Sequence, residues 1–301
     1  MLFRSPIRVL GAGKAAGGMV SAALTNFARL SIPVEEAVVI APPGVPGWSG
    51  LQAARAPKVE FLEGEHPFPG SGSDWAGQRA FALAGANRAA GGTLLVLLSG
   101  GASALMAAAA AGVSVSEKRT ATERLLAEGA PITALNVVRK HLSAIKGGFL
   151  GVAAGRSVTW AISDVVGDDP GTIASGPTAA DPSTFGEALG ILSVYGGLAA
   201  YPPAVVARLR QGQAGTVGET IKPGDHALQE ASFAVIGGRA DAMRGAALEA
   251  SRRGYDAVIA EAPVVGEARV TALGWIRDRL DIAATLPRPC CLISSGETTV
   301  D

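Results

Sequence analysis

Aromatic side chains are scarce in this chain: Phe, Trp and Tyr make up 5% of 301 residues. A core built almost without them must be filled by Ala, Val, Leu and Ile. With 40 Gly and 18 Pro the connections are many and tight, which suits a layered α/β protein. Cysteine is scarcer still. The two present, Cys290 and Cys291, are adjacent in an apolar run, so neither a disulfide framework nor a cysteine metal cluster is available. An excess of either charge is also missing. Basic and acidic residues number 26 each and the pI is near 6.9, so nothing steers the chain toward nucleic acid or an anionic membrane. The longest unbroken aliphatic strand, residues 94–98, is far short of a membrane span. The opening MLFRSPIRVL has no apolar signal core. A cytoplasmic globular protein with neither a nucleic-acid nor a membrane partner is expected.

What the chain does have is alternation. A β-branched run at residues 7–10 enters Gly-Ala-Gly-Lys, and small residues at helical spacing predict a helix from about 15 to 30. Strand 37–40 ends in the loop APPGVPGWSG, and the polar turn GEHPFPGSGSDW leads into a helix near 75–88. Strand 94–98 runs into Ser-Gly-Gly and an Ala-rich helix, followed by a helix of alternating charge at 117–128. In NVVRKHLSAIKGGFL, Val138, Leu142, Ile145 and Phe149 form the apolar stripe of an amphipathic helix. Its other side carries Asn136, Arg139, Lys140, Ser143 and Lys146. Strand 157–162, an acidic loop and helix 187–195 follow.

The polar, Gly-rich stretch 211–224 predicts a boundary. Beyond it come strand 233–236, a turn at 237–239, helix 240–253, strand 257–260, a helix near 268–280 and strand 291–294. Strands alternating with helices imply parallel crossovers. The expected fold class is α/β: a doubly wound, mostly parallel sheet in residues 1–224 and a smaller, incomplete α/β domain in 225–301. Val300 reads as the start of another strand, so the chain is expected to be incomplete.

Several predicted strand ends open onto Gly-rich or acidic turns, at 11–14, 99–103, 163–169, 237–239 and 295–297. In open α/β sheets such ends share one rim, where ligands bind. That rim would gather glycine N–H groups, hydroxyls, a lysine and carboxylates, the parts that hold a phosphate and its metal. Lys14 is expected in a first helical turn, where the helix dipole disfavours a cation by a few tenths of a kcal/mol. A lysine there calls for an anion; the plain alternative is a solvated lysine on a structural turn. SGGAS at 99–103 reads either as an anion nest or as a glycine turn, with Ser103 capping the next helix in both cases. Lys146 is expected in a last helical turn, where the dipole favours it. Asp164, one residue past a strand, is placed for magnesium, while Asp168-Asp169-Pro170 also reads as a simple turn. His66 in HPFPG is expected to shape a turn. GAGKAAGG is one residue too long for the dinucleotide fingerprint, and no acid ends the second strand. Gly13-Lys14 has no glycine five residues upstream, which excludes a Walker A loop.

Taken in order, GAGKAAGGM, HPFPG, LLSGGAS, NVVRKHLSAIKGG, SDVVGDDPGTIASGPT and SSGETTV closely resemble the glycerate 2-kinase family of the MOFRL type, over residues 7–301. The resemblance implies a Rossmann-like first domain, a smaller second domain and an active site between them. It implies transfer of phosphate from ATP, with Mg2+, to the 2-hydroxyl of D-glycerate. Lys14 matches the family's catalytic lysine. On this reading Gly11, Gly13, Ser99, Gly100, Gly101 and Ser103 cradle an anion. Arg139, Lys146 and Glu297 contact substrate or phosphate, and Asp164 and Asp168 hold the metal. The chain departs from the family pattern by having no helical segment before the first strand, Gly70 where an acid is common, and no G-G-R-N-Q-E segment after GETT. Two rivals stand: a hydroxypyruvate reductase using NAD(P)H, and an inactive truncated fragment. A homodimer is a further expectation.

Overall fold

The computed structural model describes residues 6–44 and 58–299. Most of the APPGVPGWSG loop and Val300 lie outside the described residues. The chain divides into two compact units, one of residues 1–161 and 169–234, the other of 162–168 and 235–301. The sequence boundary at 224/225 falls within the first of these.

Through the first unit the chain runs β1 (Ile7–Ala12), α1 (Ala16–Arg29), β2 (Val34–Ala41), β3 (Lys58–Glu63), α2 (Ser71–Ala89), β4 (Thr93–Leu98), α3 (Ala102–Leu105), α4 (Val115–Ala127), α5 (Ile132–His141), α6 (Phe149–Ala154), β5 (Ser157–Ile162), α7 (Phe185–Val194), α8 (Pro203–Gln213) and β6 (Ala231–Gly237), the last residues of β5 and β6 being counted with the second unit. The sheet order is β3-β2-β1-β4-β5-β6, and the pairings from β3 to β5 are parallel. This is the doubly wound Rossmann order, whose winding reverses between β1 and β4. The two central strands are wrapped on both faces: all six residues of β4 are buried. Ile7, Val9, Val20, Leu24, Phe27, Val39, Leu95 and Leu97 fill one face of the sheet under α1. A second core, of Leu125, Leu135, Val138, Leu142, Phe185, Leu192, Val205 and Leu209, joins α4, α5, α7 and α8.

The second unit contains α9 (Arg239–Arg252), β7 (Asp256–Ile259), β8 (Val264–Glu267), α10 (Ala268–Ala284), β9 (Cys290–Ile293) and β10 (Gly296–Thr299). Its strands pair in parallel as β7 with β9 and β8 with β10. Glu297, expected in a turn, lies on β10 and is exposed.

Two helices expected from the sequence are shorter in the structure. The Ala-rich run after Ser-Gly-Gly forms only the single turn α3. The NVVRKHLSAIKGGFL helix stops at His141. There the chain pairs sideways: Ala110 N–H donates to Leu142 O at 3.1 Å and Ala144 N–H to Ala108 O at 3.1 Å. The Ser143 hydroxyl fixes the bend, donating to Ala108 O and accepting from the N–H groups of Ile145 and Lys146. Lys146 therefore sits in a turn and not in a final helical turn. The face opposite the apolar stripe is buried as well, with Asn136, Lys140, Ser143 and Lys146 all under 9% exposed.

Candidate functional site

The carboxyl ends of β1 and β4 bring Gly11–Lys14 and Ser99–Ser103 together at the topological switch point. Gly13 has φ +123°, and a Cβ there would lie 2.3 Å from Ser99 Oγ, so only glycine fits. The turn is sewn to its neighbour: Lys14 N–H donates to Gly100 O at 2.9 Å and Ala15 N–H to Ser99 Oγ at 2.9 Å. Gly13 N–H reaches Ile40 O at 3.0 Å and Ala16 N–H reaches Gly13 O at 3.1 Å. The first turn's donors are thus spent inside the protein, contrary to the expectation that they face a ligand. Gly11 is buried against Val20 and serves the packing of α1.

Lys14 precedes α1 by two residues, short of the first helical turn where it was expected. Its side chain is exposed and has no hydrogen-bond or ion-pair partner among the described residues.

The second turn keeps its donors. Gly101 takes φ +86° and precedes α3, and the N–H groups of Gly100, Gly101 and Ser103 meet no acceptor among the described residues. Backbone donors fanned around a left-handed glycine make a concave anion receptor. The His66 ring borders it; a Cβ on Gly101 would come 3.1 Å from His66 Cδ2. Ser103 does not cap α3. Its Oγ lies 2.8 Å from Ser175 Oγ and 2.9 Å from Lys146 Nζ instead.

Lys146 is 1% exposed. Its ammonium nitrogen reaches the Ser103 carbonyl at 2.9 Å, the Ser103 hydroxyl at 2.9 Å and the Ala174 carbonyl at 3.2 Å. Ala174 and Ser175 both have positive φ, 53° and 60°. Lys146 ties this strained segment to the anion turn, and its three contacts leave no N–H pointing at a substrate. Burial, then the charges of Lys118 and Arg139, push its pKa well below the ordinary 10.5. Arg139 is half-buried, burial lowers its pKa, and its guanidinium has no acceptor among the described residues.

Sequence reasoning missed Lys118. It occupies the fourth position of α4, is 2% exposed, and its Nζ has no hydrogen-bond partner among the described residues. A signal existed: Lys118, Ala121, Thr122 and Leu125 are the buried residues of α4, a helical stripe interrupted by one lysine. Ser175 and Asn136, joined by a hydroxyl-to-amide bond of 3.2 Å, were also missed as parts of this cluster.

The loop after β5 offers hard oxygen donors. Asp164 and Asp168 are exposed and their carboxylates have no partner among the described residues. Asp168 has φ 53°. Asp169 behaves differently, accepting from Gly171 N–H and the Thr172 hydroxyl in a local turn. Among the described residues no group of three His, Cys, Asp or Glu is arranged to hold a metal alone. Two free carboxylates do fit magnesium, which keeps waters and takes substrate phosphate oxygens as its other ligands.

The first two-thirds of the chain, residues 3–210, match the family described as "Domain of unknown function (DUF4147)". A protein of Agrobacterium vitis named "Putative hydroxypyruvate reductase" is 35% identical over 97% of this chain and 63% of its own length. The glycerate 2-kinase of Pyrococcus horikoshii is 32% identical over 81% of this chain and 55% of its own. This chain therefore spans less than two-thirds of either relative. The crystal structure of glycerate kinase from Thermotoga maritima superposes with a TM-score of 0.76 at 30% identity, covering 98% of this chain and 67% of that one.

Proposed function

The chain belongs to the DUF4147 family, and from that premise we propose that it moves the γ-phosphoryl group of ATP to the 2-hydroxyl of D-glycerate, giving 2-phosphoglycerate. The observation that carries this reading is one juxtaposition at the switch point: an exposed, unpaired Lys14 beside a turn with three free backbone donors. The names borne by the Pyrococcus and Thermotoga proteins support it.

Phosphoryl transfer asks a protein for positioning and charge neutralisation rather than covalent chemistry. Lys14 Nζ is assigned to the transferring phosphoryl group; at about 4 Å and an effective dielectric of about 20 the pair interacts by roughly 4 kcal/mol before desolvation. The N–H groups of Gly100, Gly101 and Ser103 are assigned to an anionic oxygen, and Ser99 holds the Lys14 turn against them. Arg139 meets a negative charge of the substrate. Lys146 acts through Ser103, as a positioning residue. Asp164 and Asp168 would hold magnesium, which when bound neutralises charge on the β- and γ-phosphates.

The reductase reading draws on the Agrobacterium relative's name. It requires donors for a pyrophosphate and an acid for a ribose. Within the turn after β1 the N–H groups of Gly13, Lys14, Ala15 and Ala16 are all bonded inside the protein, and β2 ends at Ala41 followed by proline. Phosphorus NMR of the product from ATP, magnesium and D-glycerate tests the proposal: a new monoester resonance assigned to the 2-position is expected. Oxidation of NADH by hydroxypyruvate, followed at 340 nm, in place of that product would overturn it.

A further inference from the structure

Lys118 carries a buried amine that no group among the described residues receives. It lies in the first turns of α4, where the dipole opposes a cation. Its Nζ has no acceptor among the described residues. The charged groups acting on it are Arg139 of α5, which repels it, and Asp74 of α2, which attracts it. Lys146, in the turn after α5, feels the repulsion of both Lys118 and Arg139. No charged group of α8, which also packs on α4, shifts it. Asp74 is already engaged: it accepts from Ala109 N–H at 2.9 Å and from the Gln78 amide at 2.7 Å. Lys118 thus has one committed carboxylate to attract it and two cations, Arg139 and Lys146, in its neighbourhood. Of these three cations, Lys118 and Arg139 have no hydrogen-bonded partner among the described residues.

A buried lysine amine without a hydrogen-bond partner costs stability in either protonation state. A methionine would fill the Lys118 position with none of that penalty. The local framework is rigid, because the 108–110 segment that Asp74 caps is bonded to the 142–144 bend. The cationic side chains are therefore set on a framework that exists before any anion binds.

We propose that Lys118 and Arg139, carried by the packed helices α4 and α5, form a carboxylate-binding subsite that holds the carboxylate end of the hydroxy-acid substrate. This rests on the kinase reading for the identity of the acid. A planar carboxylate suits a guanidinium fork that has all its donors free. The open turn at Gly100–Ser103 is left for the phosphoryl oxygens, so the two ends of a small hydroxy acid are recognised separately. Burial and the neighbouring Arg139 lower the Lys118 pKa to about 7. An arriving anion favours the charged lysine, so binding above neutral pH takes up a proton from solution.

The test is calorimetric titration of D-glycerate, inorganic phosphate and ATP into the wild-type chain, Lys118→Met and Lys118→Arg, without turnover. Paired buffers of different ionisation enthalpy at pH 8 report the proton. The subsite predicts at least 20-fold weaker D-glycerate binding in Lys118→Met, partial recovery in Lys118→Arg, and proton uptake only where residue 118 is basic. ATP affinity should stay within twofold. Unchanged D-glycerate affinity in Lys118→Met overturns the subsite. So does a loss confined to phosphate or ATP, which assigns the cluster to a phosphoryl group. D-glycerate that binds as predicted but is never phosphorylated leaves the subsite standing and removes the kinase reading. Phosphorylation with an unaltered KM in Lys118→Met does the reverse.

Discussion

Lys146 and Ser103 are joined twice, through the serine's carbonyl and through its hydroxyl, each 2.9 Å from the same buried nitrogen. The third contact of that nitrogen, 3.2 Å to Ala174 O, links the anion turn to a segment with positive φ. The lysine holds the geometry of the turn without presenting a donor to the ligand.

Replacing Lys146 with methionine should loosen the Gly100–Ser103 turn. Misplacement of donors by about 1 Å lowers turnover on the order of 100-fold. The stability change should be smaller, because losing the amine strands two carbonyl groups, at about 1–3 kcal/mol each, but removes an ion whose burial was unfavourable. Steady-state kinetics beside urea unfolding separate the two effects. Turnover within threefold of wild type would contradict the positioning role.

Lys118 should trade stability for binding. Its folded pKa of about 7 lies below the ordinary 10.5, so between those values the unfolded chain holds more protons. Wild-type stability should rise with pH across that window. Below pH 7 the full penalty applies, roughly 5 kcal/mol for a shift of this size. Lys118→Met should therefore be more stable than wild type at pH 6, with the gain fading toward pH 10. Urea midpoints at the two pH values check it, and a gain that does not change with pH would contradict it.

Lys140 and Asp181 form an ion pair of 2.6 Å whose side chains are 9% and 0% exposed. Burial pushes the Asp181 carboxyl up, but hydrogen bonds from Lys140 and Ser183 outweigh this and hold it below its ordinary 3.8. A depressed carboxylate pKa stabilises the fold above the unfolded value, and that stability is lost as pH falls through the folded one. Asp181→Asn should cost about 3–5 kcal/mol at pH 7, because a buried lysine loses its partner. The difference from wild type should shrink as the pH drops below about 4. Equal stability at pH 7 would contradict the pair's role.

The layered fold was legible because hydrophobic runs and Gly-rich turns alternate, and β4 reads as a buried strand without any knowledge of its neighbours. Strands β3, β8 and β10 escaped notice, the last being read as a turn. KVEFLE is only partly buried at the sheet edge, and VVGE is too short for a period to emerge. The misjudged length of α5 has a tertiary cause: Leu142 and Ala144 exchange hydrogen bonds with 108–110, a pairing that no local pattern discloses.

At the site, residue types were easier to foresee than their roles. Lys14 and SGGAS were found from their positions after strands. Which of the two turns retains free donors depends on the Ser99 side chain and the Gly100 carbonyl, contacts made across 84 and 86 positions of sequence. Lys118 was visible as a charge in an apolar stripe, yet the abundance of charge on that helix masked it.

The measurement that bears most directly on the account is D-glycerate-dependent ATP turnover in wild type and Lys14→Met, with urea unfolding in parallel. Lys14 is exposed and unpaired, so its removal should alter stability by less than about 0.5 kcal/mol while turnover falls on the order of 100-fold or more. Turnover within threefold of wild type, at unchanged stability, would contradict the assignment of that ammonium to the transferring phosphoryl group.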